Sequence, residues 1–153
     1  VKGNPEVIKR SATAKGIDFR AIETFHDDAR GSKRGRNTVF LFEVDGVKIC
    51  HMGDLGHIPS QEQLREIGEV NILFIPVGGF YTIDAKQASE IVSALKPNIV
   101  IPMHFKTEKI SFPISGVEDF LRGKEYVERL PYLEIEREKL PAPVKVVVLK
   151  NER

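Results

Sequence analysis

The sequence has only one cysteine, no long apolar run and almost no net charge. Cys50 alone among 153 residues cannot build an intrachain disulfide framework and fits a reducing compartment, so we expect a cytoplasmic location. No stretch of about 18 apolar residues and no charged-then-apolar leader is present, so we expect neither a membrane span nor a signal peptide. The 23 basic and 22 acidic residues nearly cancel, which gives no reason to expect nucleic acid as a partner.

Strand-like and helix-like segments alternate along a chain whose length suits one domain. Ser60 and Asp84 are candidate helix caps, and Asp45-Gly46 between two apolar runs predicts a tight hairpin. A strand, helix and strand in succession imply parallel neighbours in an α/β fold. Apolar patterning predicts strands at 17–25, 38–44, 47–52, 71–76, 99–102, 133–135 and 144–149, and helices at 61–67, 85–95 and 117–121.

Side chains of the metal-ligand type follow three of the predicted strands. His26 comes after the strand at 17–25, Asp54 stands between glycines after the strand at 47–52, and His104 follows the strand at 99–102. Sites in layered α/β folds are built where strands end, because the sheet supplies rigid positions and the loops supply access. The three residues are therefore the candidate site.

Four motifs, taken together and in order, resemble a known family. They are His26-Asp27, His51-x-Gly-Asp54-x-Gly, Pro76-Val-Gly-Gly79 with Tyr81-Thr-Ile-Asp84-Ala, and Ile101-Pro-Met-His104. This combination is similar to the C-terminal portion of a metallo-β-lactamase-fold hydrolase, of the group that includes L-ascorbate-6-phosphate lactonase. The resemblance implies a four-layer αββα sandwich with a dinuclear metal site at one edge. It also implies that residues 1–153 are the C-terminal portion of one such domain.

One motif of the family is missing from this sequence. Family members carry an N-terminal His-x-His-x-Asp-His motif, and the only histidines here are His26, His51, His57 and His104. We therefore expect a chain that lacks the N-terminal strands of the sandwich and is inactive alone. The alternative is a degenerate homologue that serves in binding or assembly.

The resemblance assigns a role to each candidate ligand. His26 corresponds to the ligand that completes the set of the first metal ion, His104 to the one that completes the second, and Asp54 to a carboxylate that bridges both ions and so takes part in catalysis. These donors suit two divalent ions, with zinc first and manganese or iron as options. The implied function is hydrolysis of an ester, lactone or phosphodiester by a hydroxide held at the two ions.

Other residues near the candidate site leave alternatives open. His57 on its glycine loop either touches substrate or donates to a ligand, and Tyr81 is a candidate for the pocket wall. The basic loop at 30–36 is either a solvated loop or a contact for a substrate phosphate. Strand alternation directs His51 away from the face of Asp54. We expect a small-molecule substrate, a phosphorylated one included, no membrane partner and a homo-oligomer.

Overall fold

The computed structural model describes residues 11–150, which form one mixed eight-stranded sheet with helices. The strand order across the sheet is β1-β2-β3-β4-β5-β6-β8-β7. The strands are β1 (Ser11–Ala14), β2 (Ile17–Phe25), β3 (Arg36–Val44), β4 (Val47–His51), β5 (Ile72–Pro76), β6 (Ile99–Met103), β7 (Val127–Leu130) and β8 (Lys145–Leu149), and the helices are α1 (Gln61–Ile67), α2 (Ala85–Leu95) and α3 (Glu118–Leu121).

Strand direction decides which loops share an edge of the sheet. The first four strands pair antiparallel, whereas β4, β5, β6, β8 and β7 pair parallel. Strands β2, β4, β5 and β6 therefore run in one direction, and their C-terminal ends lie at the same edge. Asp45 and Gly46 both have positive φ, at 50° and 77°, which confirms the predicted hairpin between β3 and β4.

Both longer helices begin at the caps that the sequence predicts. The Ser60 hydroxyl accepts from the Gln63 N–H at 3.2 Å, and the Asp84 carboxylate accepts from the Gln87 N–H at 2.8 Å. In each case the glutamine side chain bonds back to the cap, which completes a capping box. The helices pack on one face of the sheet, where the main core contains Leu73, Ile75, Val100, Ile67, Ile91 and Phe120.

The opposite face of the sheet is covered only in part by the described residues. Near β5, β6 and β8, the segment 131–141 packs Leu133, Ile135 and Leu140 against a second apolar cluster. Over β2, β3 and β4 the same face bears a groove of about 770 Å³. Its walls include Phe19, Phe40, Phe42, His51 and Asp54. Exposed apolar side chains that line such a groove are typical of a surface that contacts another element or a partner.

The fold class is α/β as expected, but two details of the sequence prediction are wrong. Residues 133–135 are not a strand; they cross the sheet face as an irregular segment in which Leu133 and Ile135 are partly buried. Strands β1 and β7 were not predicted, because Ser-Ala-Thr-Ala and Val-Glu-Arg-Leu are too short and polar to give a strand pattern. Within residues 11–150, no helix has the length and apolarity that crossing a membrane requires.

Candidate metal centre

The three candidate ligands lie at the sheet edge where β2, β4, β5 and β6 end. Backbone hydrogen bonds tie their loops together there. The Gly56 N–H donates to the Phe25 carbonyl at 2.9 Å, and the Ile83 N–H donates to the Leu55 carbonyl at 2.8 Å. The loop after β6 is joined in the same way, because the Ser115 N–H donates to the Gly78 carbonyl at 2.7 Å. The loops that carry His26, Asp54 and His104 therefore form one connected layer.

Two glycines in this layer allow backbones to approach closely. A Cβ added at Gly56 would lie 2.2 Å from the His26 carbonyl carbon, and one added at Gly78 would lie 2.2 Å from the His104 carbonyl oxygen. Real side chains do not tolerate such distances. The glycine after Asp54 is thus required by contact with the His26 backbone, a reason that the sequence pattern alone does not reveal.

His26 and His104 each keep one buried ring nitrogen without a partner. His26 Nε2 and His104 Nδ1 have no hydrogen bond among residues 11–150. Buried polar atoms are nearly always satisfied, so two orphaned imidazole nitrogens at one sheet edge need an explanation. His104 also has a positive φ of 51°, a conformation that costs energy for a non-glycine residue and is concentrated at functional sites. Both nitrogens are suited to a divalent metal ion.

Asp54 is held by Asn37, a residue that the sequence did not single out. The Asp54 N–H donates to Asn37 Oδ1 at 2.9 Å. The Asn37 amide nitrogen in turn donates to Thr24 Oγ1 at 2.8 Å and to the Met52 carbonyl at 2.9 Å. Asn37 therefore joins β2, β3 and the loop after β4, and it leaves the exposed carboxylate of Asp54 free.

The candidate ligands do not make a complete metal site by themselves. In the described part of the chain, no group of three His, Cys, Asp or Glu side chains is arranged to hold a metal ion. The residues present thus fit a metal ion as a partial donor set. The division of His26 and His104 between two ions stays a prediction.

His51 lies in the same groove as Asp54, and its predicted placement on the opposite face is wrong. Strand β4 ends at His51, so the alternation of side chains does not extend to Asp54. The ring stacks on Phe74 with centroids 5.6 Å apart, and its Nδ1 accepts from the Gly53 N–H at 3.1 Å. Burial lowers the pKa of His51, while the nearby charge of Asp54 acts in the raising direction.

Both ring nitrogens of His57 face backbone groups. The Phe25 N–H donates to His57 Nε2 at 3.1 Å, so the ring proton is on Nδ1, which donates to the Ile58 carbonyl at 2.9 Å. The Phe25 ring lies beside the imidazole, with centroids 5.8 Å apart. A polar contact between His57 and substrate would require the ring to give up one of these bonds. Its role toward substrate stays a prediction.

Asp27 organises the basic loop that follows His26. Its side chain is 2% exposed and accepts hydrogen bonds from the backbone N–H groups of Ala29, Gly31, Lys33 and Arg34 at 2.6–3.0 Å. Burial by itself raises the pKa of the carboxyl, but the four donors outweigh it and lower the pKa to about 2. Asp27 therefore fixes the backbone of the loop from residue 29 to residue 34.

Tyr81 lies in the loop between β5 and α2, where it belongs to an aromatic cluster. Its ring meets the rings of Phe80 and Phe112 edge-on, with centroids 4.7 and 6.0 Å apart. Phe80 and Phe112 are 62% and 56% exposed. The cluster thus stands at the surface of the loop layer that carries the candidate ligands. Its contact with substrate stays a prediction.

Comparison with known proteins identifies the family. A profile of the beta-lactamase superfamily domain matches residues 1–104, a range that includes His26, Asp54 and His104. A Thermotoga maritima protein of known crystal structure is described as a candidate zinc-dependent hydrolase of the metallo-β-lactamase superfamily. Its sequence is 43% identical to this chain. The alignment covers 97% of this chain and 74% of that one, with a TM-score of 0.80. The chain belongs to the metallo-β-lactamase superfamily.

Curated relatives in the superfamily are longer than this chain. A UPF0173 metal-dependent hydrolase of Thermococcus onnurineus is 34% identical over 94 residues, which are 60% of this chain and 42% of the relative. Another, from Thermoplasma acidophilum, is 37% identical over 94 residues, or 61% and 42%. The chain thus spans about two-fifths of the length of these relatives.

Proposed function

We propose that the protein carrying this chain is a metal-dependent hydrolase that cleaves an ester, a lactone or a phosphodiester. The observation that carries the proposal is the pair of buried ring nitrogens, His26 Nε2 and His104 Nδ1, that have no partner in the described residues and lie at the edge of the sheet that also presents Asp54. The names of the relatives support metal dependence in general. The bond that is cleaved and the number of metal ions are part of the proposal.

In this proposal the chain's residues hold and orient two divalent ions. His26 and His104 would each hold an ion through the free ring nitrogen, and Asp54 would supply a carboxylate to both. The negative charge of Asp54 offsets part of the repulsion between the cations, while Asn37 fixes its position. When bound, the ions supply an activated water at neutral pH and stabilise negative charge that develops on the substrate. Nitrogen and oxygen donors favour zinc, with manganese or iron as options.

Substrate reaches this edge of the sheet from the side of the loops. Asp54 opens into the groove that His51 and Phe40 also line. Tyr81 stands on the neighbouring loop, and we propose that it contacts substrate. His57 holds the turn between β2 and the Asp54 loop through its backbone bonds, and we propose only a minor contact with substrate for it.

A second candidate function is a non-catalytic binding module of the same fold. One observation favours it: no group of three ligand-type side chains within residues 11–150 is arranged around a metal position. This alternative predicts that neither metal nor the candidate ligands influence any hydrolysis. It is decided by the same experiment as the main proposal.

Replacement of Asp54 tests the proposal. The protein carrying this chain is assayed against a general lactone and a chromogenic phosphodiester, with bound metal measured for each variant. Asp54→Ala should lose both hydrolysis and metal, because it removes a ligand shared by the two ions. His57→Ala should lose far less activity, roughly the effect of 1–3 kcal/mol that an unsatisfied buried partner causes.

Glu43→Ala is the matched control, since Glu43 is an exposed carboxylate on β3. It should change neither metal content nor turnover. Full metal content and near-normal turnover in Asp54→Ala would overturn the proposal and leave the segment around Asp54 as a structural turn. Activity that is independent of metal in every variant would do the same.

A further inference from the structure

Three loops at the candidate metal edge meet around the ring of Tyr81. Tyr81 and Phe80 come from the loop after β5, and Phe112 comes from the loop after β6. The third loop follows β2 and supplies Arg34, whose guanidinium carbon lies 5.7 Å from the centre of the Tyr81 ring. The loop of Arg34 begins at His26, and the loop of Phe112 begins at His104. The loop of Tyr81 follows β5, the strand beside β6. The cluster therefore belongs to the same layer of loops as the candidate ligands.

Arg34 differs from Lys33 and Arg36 of its loop, which are paired with carboxylates. It also differs from Arg30, which has no aromatic ring of residues 11–150 beside its guanidinium. Lys33 pairs with Asp28 at 2.9 Å, and Arg36 pairs with Glu23 at 3.1 Å. Of the carboxylates and carbonyls in residues 11–150, none accepts a hydrogen bond from the Arg34 guanidinium, whose side chain is exposed. The Tyr81 ring is its neighbour instead. An arginine beside an aromatic face keeps its N–H donors available to an incoming group.

The backbone of Arg34 is held in place. Its N–H donates to the buried Asp27 carboxylate at 2.6 Å, as part of the four-donor set that fixes the loop. Both ends of the residue are thus positioned, the backbone by Asp27 and the guanidinium by Tyr81. A preorganised cation loses less conformational freedom when it binds an anion than a free surface arginine does.

We infer that Arg34 and Tyr81 form a recognition site for an anionic substituent of the substrate, a carboxylate or a phosphate carried by the ester or lactone that is hydrolysed. The inference rests on the proposed function. The guanidinium binds two oxygens of the anion side by side, a geometry that carboxylate and phosphate share. The exposed rings of Phe80 and Phe112 give the adjoining part of the substrate an apolar surface. The basic loop predicted from sequence thus acts through one residue.

The first test compares two chromogenic esters that differ in charge. These are 4-nitrophenyl acetate, which is neutral, and mono-4-nitrophenyl succinate, which carries a carboxylate. Arg34→Ala should lower kcat/KM for the succinate ester roughly tenfold to a hundredfold, the range of a hydrogen bond to a charged group, mainly through KM. Hydrolysis of the acetate ester should change less than about twofold, because the neutral ester has no group for Arg34 to bind.

Lys33→Ala is the matched control, because it removes one cation of the same loop that is already paired with Asp28. It should leave the ratio of the two kcat/KM values unchanged. Arg34→Lys should be intermediate, since lysine keeps the charge but not the two-pronged geometry. If Arg34→Ala lowers kcat/KM equally for both esters, or for neither, the ratio of the two values stays as in the unaltered protein. That result would overturn the inference and leave the hydrolase proposal standing.

The second test does not depend on activity. The Arg34 Nε–H signal is followed by NMR while inorganic phosphate, acetate or neutral glycerol is added. Saturable shifts with phosphate, acetate or both support the site and identify the anion, and Tyr81→Leu should weaken them. No saturable shift with either anion would overturn the inference. Saturation by an anion in a protein that hydrolyses neither these esters nor the lactone and phosphodiester named above would retain the anion site and remove the proposed function.

Discussion

Asn37 is the residue on which the position of Asp54 depends most directly. It accepts from the Asp54 N–H and donates to Thr24 and to the Met52 carbonyl. Asn37→Ala should therefore weaken zinc binding by about 10–100-fold without removing a ligand, as loss of groups that orient ligands does. Titration with zinc against a competing chelator measures the effect.

Asn71→Ala provides the comparison for that variant. Asn71 also joins neighbouring strands, through bonds to the Lys48 N–H and to Asn98, but it lies at the opposite ends of the strands. Its loss should lower stability and leave zinc affinity unchanged. Equal effects of the two variants on zinc affinity would mean that Asn37 has no specific part in the metal site.

Cys50 is a buried thiol, and burial raises its pKa to about 12. Only about one thiol in a thousand would be ionised at pH 9, and the sulfur is not accessible. Labelling by a disulfide reagent should therefore be slow in the native protein at both pH 7 and pH 9, and rapid in denaturant. Glutathione in the same mixture calibrates the reagent. A fast native phase would show that the core at β4 opens or that Cys50 is exposed.

At the scale of elements, the close backbone contact between the end of β2 and the Asp54 loop at Gly56 sets the geometry of the site. Gly56→Ala would place a methyl group 2.2 Å from the His26 backbone, so we expect a loss of about 1–3 kcal/mol in the free energy of unfolding, as for overpacked cores. Gly116→Ala adds a methyl group in open space and should change it by less than about 0.5 kcal/mol. Denaturant unfolding measures both, and similar values for the two variants would contradict the close approach.

Local chemistry explains which elements could be predicted from the sequence. Helices α1 and α2 begin at Ser60 and Asp84 as predicted, because a cap followed three residues later by glutamine is a short-range signal. Strand β2 was predicted from its apolar content and the hairpin from Asp45-Gly46. Strand β7 and the irregular segment over the sheet depend on neighbours distant in sequence, which no local pattern records.

The candidate site divides in the same way between local and long-range signals. His26, Asp54 and His104 could be selected because each follows an apolar strand, and the structure places all three at one edge. Asn37 could not be selected, and Arg34 could not be distinguished from the other cations of the basic loop at 30–36. Their importance comes from contacts with Asp54 and Tyr81, 17 and 47 residues away along the chain. The direction of the His51 side chain relative to Asp54 could not be predicted either, because it depends on where β4 ends.

For the molecule as a whole, the two faces of the sheet are unequal. Helices cover one face, while the groove along Phe19, Phe40 and Phe42 leaves part of the other open among the described residues. The αββα sandwich implied by the family places a second sheet on this face. Asp54 and His51 open into the same groove, so an element packed there would also stand close to the metal edge and complete the partial donor set.

Anomalous diffraction from zinc-loaded crystals of the protein carrying this chain tests the central claim most directly. Data on the two sides of the zinc absorption edge should show zinc about 2.0–2.2 Å from an Asp54 oxygen and from His26 Nε2 or His104 Nδ1. A ring nitrogen that binds zinc would then have the partner that it lacks among residues 11–150. Fully occupied zinc away from all three residues, with both nitrogens bonded to protein groups, would contradict the account.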